Sequence, residues 1–369
     1  MSRTSGQADR TGTERFRDRS VATRHLPKAH FRSAPGDLAL SSVGLGTYIG
    51  APDATTDIAV EQAVSLSLAS GRLNVIDTAI NYRHQRAERS VGRALARMFE
   101  TGQLSRTEVF VSTKNGYLAP DGEAAIPAER WVDQTLVKPG ILKRSEIVDG
   151  SHSMAEGFLR DQLERSRENL KLETIDLLYL HNAADAQLPS VGKKEFFARL
   201  ELAFRLYEGF RRDGQIRAYG LATWECLRAP RSAPVHLSLE ETVHLARKVG
   251  GADHGFRFVQ FPFSLVLPEA ATLRNQRIAG EDVTLFEAVR RLGLGGFTSV
   301  PLHQGQLSRA APSIDGLTRA QTALQFARSA PGTLGPVVGL KRPEHLSENL
   351  RLAEVPPWDA PQFEALLPP

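Results

Sequence analysis

The feature that most restricts how this chain can fold is a rhythm. Eight short apolar runs recur from residue 42 onward: SVGLGT (42–47), LNVID (73–77), VFVSTK (109–114), IDLLYLH (175–181), IRAYGL (216–221), FRFVQF (256–261), GFTSVP (296–301) and GPVVGL (335–340). Between most of them lie stretches of helical period, such as ERSVGRALARMF (88–99), FLRDQLERSRENL (158–170) and EFFARLELAFRLYEGFRRDG (195–214). Strands that alternate with helices build parallel βαβ units, and eight such units closing on themselves make an α/β fold of the (β/α)8 TIM-barrel type. The competing open, doubly wound sheet carries a G-x-G-x-x-G turn that opens a helix. GLGTYIG (44–50) lacks that spacing, and Ala51, Pro52 and Asp53 interrupt any helix beginning there. A single barrel domain over 36–355 is therefore expected, with a tail at 356–369.

Composition removes several classes of function. The chain has 369 residues, 41% hydrophobic and 24% charged, enough apolar material for a sizeable core. A lone cysteine, Cys226, rules out an internal disulfide framework and a cysteine-based zinc site. No apolar run approaches the ~20 residues that span a bilayer, and a cytoplasmic protein is expected. The net charge of +4 is too small and too dispersed to point to nucleic acid. Residues 1–30 differ from the rest: six Arg and one Lys face three acids, with few large apolar side chains. Such a segment is expected to be a disordered extension, because it has little surface to bury against its ordering entropy. It has no apolar core of a secretory signal.

Residues at the C-terminal ends of barrel strands face the catalytic mouth. Asp77 ends the second run, Lys114 the third and His181 the fourth, while Tyr82 follows in the loop after the second. The set is chemically coherent. A phenol titrates near pH 10 unperturbed. A neighbouring ammonium favours its phenolate, and a carboxylate keeps that ammonium charged and in place. An imidazole beside the phenol can orient a carbonyl oxygen. Together they form a proton-donating pocket for a carbonyl that accepts a hydride from a cofactor. Each residue alone also has a plain structural reading, as a helix cap, a solvated lysine or a satisfied core histidine. Their joint placement on consecutive strand ends favours catalysis.

With these residues the chain resembles the aldo-keto reductases. The resemblance rests on DTAINY (77–82) with Glu88 a turn later, VSTKNGY (111–117), IDLLYLH, the strand-end Gln260 in VQFPF, and GLKRPEHLSENL (339–350). It runs over roughly 36–352 and implies a (β/α)8 barrel that binds a nicotinamide cofactor without a Rossmann domain. It implies a catalytic tetrad of Asp77, Tyr82, Lys114 and His181, with Tyr82 as general acid, Lys114 and Asp77 tuning it, and His181 orienting the carbonyl. It also implies cofactor contacts at Gly46, Thr47, Asp77, Thr223, Gln260, Leu302, Gln304, Gly305, Gly339, Lys341, Arg342, His345, Glu348 and Asn349. Three positions depart from the family's pattern. Ala222-Thr223 replace a Ser-Asn pair, Ser299 stands where an aromatic often stacks on the nicotinamide, and Gly339 and His345 stand where some members have Lys and Arg.

The expected cofactor is NADPH. Lys341 and Arg342 precede Pro343, which suits a first helical turn, and two cations at a helix N-terminus call for an anion such as a 2′-phosphate. On the substrate side, Tyr48, Tyr117 and Trp131 are candidate walls for a small carbonyl compound. Tyr117 and Trp131 lie in or at the start of a connection of almost forty residues after Lys114, long for a βα loop. Its alternative is a surface excursion packed on the side of the barrel. The reaction direction stays open, since the same residues can run an alcohol or sugar dehydrogenase, and a nicotinamide-binding regulatory subunit is a further alternative. A metal-dependent barrel hydrolase is disfavoured because the first strand has no H-x-H.

Overall fold

IDLLYLH is buried at all seven positions, as a continuous run of Ile, Leu and Tyr requires of a strand covered on both faces. The computed structural model describes residues 3–368. In chain order its strands are β1 (Phe31–Ala34), β2 (Leu38–Ser41), β3 (Gly44–Gly46), β4 (Val75–Asp77), β5 (Phe110–Asn115), β6 (Ile175–His181), β7 (Ile216–Ala222), β8 (Phe256–Pro262), β9 (Gln276–Ile278), β10 (Glu281–Val283), β11 (Gly295–Ser299) and β12 (Thr333–Gly339). Eight of them close a barrel in the order β3, β4, β5, β6, β7, β8, β11, β12, and every pairing in it is parallel. Each of the eight apolar runs supplies one barrel strand, so the expected (β/α)8 fold is the observed one.

Side chains fill the barrel rather than leaving a pore. Val75, Phe110, Leu177, Tyr179, Phe258, Phe297 and Leu334 meet inside it, and Ala34, Leu38 and Leu40 join them from the antiparallel β1–β2 hairpin. Asn74, at the entry to β4, ties that hairpin down. Its side chain accepts from the Ser41 amide at 2.9 Å and donates to the Ala39 carbonyl at 3.0 Å. The hairpin thus closes the end of the barrel opposite the strand ends that carry Asp77, Lys114 and His181.

The expectation of a disordered extension at 1–30 is corrected by the structure, residues 1–2 lying outside the described residues. A helix spans Arg10–Arg24, capped by Asp9, whose carboxylate accepts from the Gly12 amide at 2.6 Å. Its buried face consists of Gly12, Thr13, Phe16 and Ser20. The chain before it is bound too, since the Thr4 amide donates to the Lys171 carbonyl and the Ala8 amide to Asp176 Oδ1 at 2.6 Å. The physical reason is partnership. Phe16 packs edge-on against Phe31, Arg19 pairs with Glu108 at 2.7 Å, and Asp176 needs the Ala8 amide among its donors. At the other terminus the tail is also packed: Phe363 stacks on Phe326 with ring centres 5.0 Å apart.

Candidate active site

Asp77 and Lys114 end adjacent strands, so the ladder brings them together. Lys114 Nζ lies 2.6 Å from Asp77 Oδ2, 2.9 Å from the Thr78 carbonyl and 3.1 Å from the Tyr82 hydroxyl. The ammonium is 1% exposed. Asp77 Oδ1 takes two further donors, Ser112 Oγ at 2.8 Å and Gln260 Nε2 at 3.0 Å. A buried ion pair is tolerable when its remaining hydrogen-bonding capacity is filled in this way. The ring of Tyr82 stands edge-on to His181, with centres 5.8 Å apart, and to Tyr48 at 5.0 Å. All four expected tetrad residues therefore meet at the mouth, with Lys114 behind Tyr82.

Burial pulls the Lys114 ammonium down, but Asp77 and then Tyr82 outweigh it and hold its pKa above the ordinary lysine value. Tyr82 departs from expectation. Burial of its hydroxyl pushes its pKa up, Lys114 pulls it down, and the net direction is up. The hydroxyl thus stays protonated and ready to donate. His181 is driven well below the usual histidine range, first by burial and then by the Lys114 charge, so its imidazole is neutral. Its Nδ1 is buried without a partner, which leaves Nε2 as the nitrogen available to a ligand.

A cleft of about 740 Å³ begins over Tyr82 and His181 and runs to the helix Pro343–Leu350. Its lining includes every expected cofactor-contact residue: Gly46, Thr47, Asp77, Thr223, Gln260, Leu302, Gln304, Gly305, Gly339, Lys341, Arg342, His345, Glu348 and Asn349. Ser299 lines it as well, with no aromatic ring at that position. At the far end neither Lys341 nor Arg342 forms an ion pair among the described residues. Lys341 instead donates to the Ile49 carbonyl at 2.8 Å, and burial and then Arg342 lower its pKa. Asn349 Oδ1 is buried with no donor. Two unpaired cations and an orphaned acceptor are what a nucleotide bearing phosphate and an amino group would satisfy.

Of the expected substrate walls, Tyr48 and Tyr117 line the cleft and Trp131 does not. Trp131 is 7% exposed and packs with Val132, Leu136, Leu142 and Phe158 in a separate apolar cluster, with the Arg165 guanidinium over its ring. Most of the long connection is thus the surface excursion. Its apolar residues are spent on the helix Glu156–Leu170, and its acids Asp121 and Glu123 pair with Arg89. Asn182 and Trp224 are among the cleft residues that were not anticipated. Both follow strand ends directly, after β6 and just beyond β7, and that position was the available signal. The turn bearing Trp224 is fixed by Asp185, whose carboxylate accepts from the amides of Trp224, Glu225 and Cys226 at 3.0, 2.7 and 2.9 Å.

A filled parallel barrel, a proton-donating cluster at its mouth and a long cleft ending in unpaired cations define a nicotinamide-dependent oxidoreductase acting on C=O or CH–OH. The sequence profile of the Aldo/keto reductase family matches residues 42–310, and the chain belongs to that family. A search among curated proteins returns no sequence match. Among solved structures, the chain is similar to the holo form of aldo-keto reductase AKR11C1 from Bacillus halodurans, at 16% identity and a TM-score of 0.60, covering 91% of this chain and 94% of that one. It is similar at 18% identity and a TM-score of 0.60 to an aldo/keto reductase from Klebsiella pneumoniae in complex with NADP and acetate, again over 91% and 94%. A Klebsiella pneumoniae aldo-keto reductase in complex with NADPH matches at 18% identity and a TM-score of 0.57, over 89% and 91%.

Proposed function

We propose that this protein reduces a small aldehyde or ketone to the alcohol, with NADPH as reductant and Tyr82 as general acid. The observation that carries the reading is the 3.1 Å contact between Lys114 Nζ and the Tyr82 hydroxyl, with Asp77 behind the lysine at 2.6 Å. The nicotinamide, when bound, supplies the hydride. Gly46, Thr47, Thr223 and Gln260 line the half of the cleft near the tetrad that would receive it, and Leu302, Gln304 and Gly305 are its loop contacts. Lys341 and Arg342 would hold the 2′-phosphate, His345 lies in the first turn of the helix that follows them, and Glu348 and Asn349 would meet the adenine. The NADP and NADPH in two structurally similar reductases support that choice.

The carbonyl oxygen is taken between the Tyr82 hydroxyl and His181 Nε2. As negative charge develops on that oxygen, Tyr82 releases its proton to it, and the phenolate left behind is stabilised by the buried ammonium. Asp77 keeps the lysine charged and aimed. The upward shift of Tyr82 keeps its hydroxyl a proton donor, the form that reduction requires of it. Tyr48, Tyr117, Asn182 and Trp224 are the walls that would touch the substrate.

Replacing Tyr82 by Phe keeps the ring and removes the proton. Turnover should fall by ~100- to 10,000-fold, while NADPH affinity, followed by fluorescence titration, stays near wild type. The assay is NADPH and NADH consumption across aldehydes, ketones and sugars, run in both directions. A variant that keeps more than about a third of the wild-type rate, with chemistry rate-limiting, removes Tyr82 from the acid role.

A further inference from the structure

The ring of His181, proposed above to orient the carbonyl, makes no side-chain hydrogen bond among the described residues. What fixes it is therefore its backbone and its neighbours. The chain leaves β6 through Asn182, which is left-handed at φ 48°, so the His181 carbonyl sits where the strand, still paired with Ala222 at His181, turns away. A second histidine occupies that carbonyl. His152 Nε2 lies 2.9 Å from it, and His152 is 0% exposed. It comes from the last residues of the long connection, where an antiparallel bridge pairs Tyr117 with His152.

The proton on His152 can be assigned from its surroundings. Arg199 Nη1 lies 3.1 Å from Gln187 Oε1, and a guanidinium only donates. Gln187 therefore turns its amide nitrogen to His152 Nδ1, at 2.9 Å. Nδ1 accepts, so Nε2 carries the hydrogen and donates to the His181 carbonyl. Burial lowers the pKa of His152 to about 4, which keeps this neutral tautomer at physiological pH. The ring fits against the chain only because residue 116 is glycine. Gly116 has φ +118°, and a Cβ there would stand 2.5 Å from His152 Nε2. Tyr117 then stands edge-on to both rings, with centres 5.1 Å from His152 and 5.2 Å from His181.

We propose that His152 is a positioning residue: held by Gln187, it fixes the carbonyl end of β6 and so aims His181 at the substrate oxygen. The inference rests on the reductase reading above. It gives the long connection a part in the chemistry although, among the residues lining the cleft, it supplies only Tyr117, near its start. Misplacing a catalytic group by about 1 Å can cost on the order of 100-fold in rate, so a donor to one backbone carbonyl matters here.

The test compares His152→Leu, which removes the donor, with His152→Gln, whose amide nitrogen can reach the same carbonyl, and with Gln187→Leu. Three quantities are measured on the full chain: NADPH affinity, kcat with its isotope effect from 4-deuterated NADPH, and the His181 ring resonance, assigned with His181→Asn, without ligands. In His152→Leu, kcat is expected to fall about tenfold or more while NADPH affinity stays within about twofold. Its isotope effect should rise and its His181 resonance should move. His152→Gln should restore most of each, and Gln187→Leu should shift them in the same direction by less. Wild-type kcat with an unmoved resonance in His152→Leu, or a Gln variant no better than Leu, overturns the proposal. If the wild type reduces no carbonyl, the reductase reading fails and the resonances alone decide the positioning. If His152→Leu does not fold, Gln187→Leu decides it, and an unmoved resonance there is a refutation.

Discussion

Lowering the pH from 7 to 5 should charge histidines that this fold keeps neutral. His30 and His152 are both fully buried, and both carry their proton on Nε2, donating to a backbone carbonyl. For His30 the acceptor is Arg72, at 2.6 Å, while Arg328, which can only donate, faces its Nδ1. Burial, then the Arg328 charge, lowers the pKa of His30 to about 3, and burial lowers that of His152 to about 4. An unfolded histidine titrates near 6.5, so below that pH the unfolded chain binds protons that the folded one refuses. The stability these groups contribute is full above pH 6.5 and is lost as the pH falls toward their folded values. Each pH unit is worth ~1.4 kcal/mol per group, so by pH 5 each histidine removes roughly 2 kcal/mol and the two together about 4. That is a large share of the ~5–15 kcal/mol typical of a domain. His181 acts in the same direction. Glu88 opposes them, because burial raises its pKa and its folded form gains a proton first as pH falls. The assay is urea denaturation at pH 7, 6 and 5 on the wild type and His30→Gln. The wild-type midpoint should drop steadily from pH 6.5 downward, and His30→Gln should lose about one proton's worth of that slope. Equal midpoints at pH 7 and 5, or an unchanged slope in the variant, would refute the buried neutral state.

Two further tests address the ends of the cleft. Lys341→Glu combined with Arg342→Ala should weaken NADPH binding by roughly 2–4 kcal/mol, the range for lost charged hydrogen bonds, and NADH binding much less. Equal losses in fluorescence titrations of the two cofactors would mean that these cations do not read the 2′-phosphate. Trp131→Ala should cost ~3–5 kcal/mol in denaturation midpoints and leave KM unchanged, since Trp131 packs away from the cleft. Trp224→Ala, at a side chain 47% exposed on the cleft rim, should instead change KM and substrate choice with little loss of stability. The opposite pattern would exchange the roles given to the two tryptophans.

The barrel was legible because its strands are short runs of Val, Ile, Leu and Phe set between helices. The tetrad was legible because a barrel sends its strand ends to one rim, which turns Asp77, Lys114 and His181 from scattered residues into neighbours. The N-terminal helix was not legible: three of its four buried residues are Gly12, Thr13 and Ser20, so it has no apolar stripe to find. Its order comes from partners such as Glu108 and Asp176, far along the chain. Trp131 misled because an aromatic in a long loop has no periodicity to say which way it faces. His152 gave no signal at all, since its role depends on a carbonyl, a glutamine and a glycine brought together by the fold. The rise in Tyr82 pKa was missed for a related reason. Sequence shows that Lys114 is near, but not how far the surrounding barrel mouth desolvates the phenol.

The binding of the first residues to distant partners has a consequence for synthesis. Ala8 bonds to a carboxylate 168 positions later, and Thr4 pairs beside Leu172. At the ~5–20 residues per second of translation, Thr4 and Ala8 wait roughly ten to thirty seconds before these partners have been made. Until then the segment is a basic, incompletely docked stretch of polypeptide. Its polar helix face then becomes an asset, since a chain with one exposed phenylalanine and seven surrounding cations has little to aggregate through. The composition that hid this helix from view is thus suited to a segment that is made well before its partners.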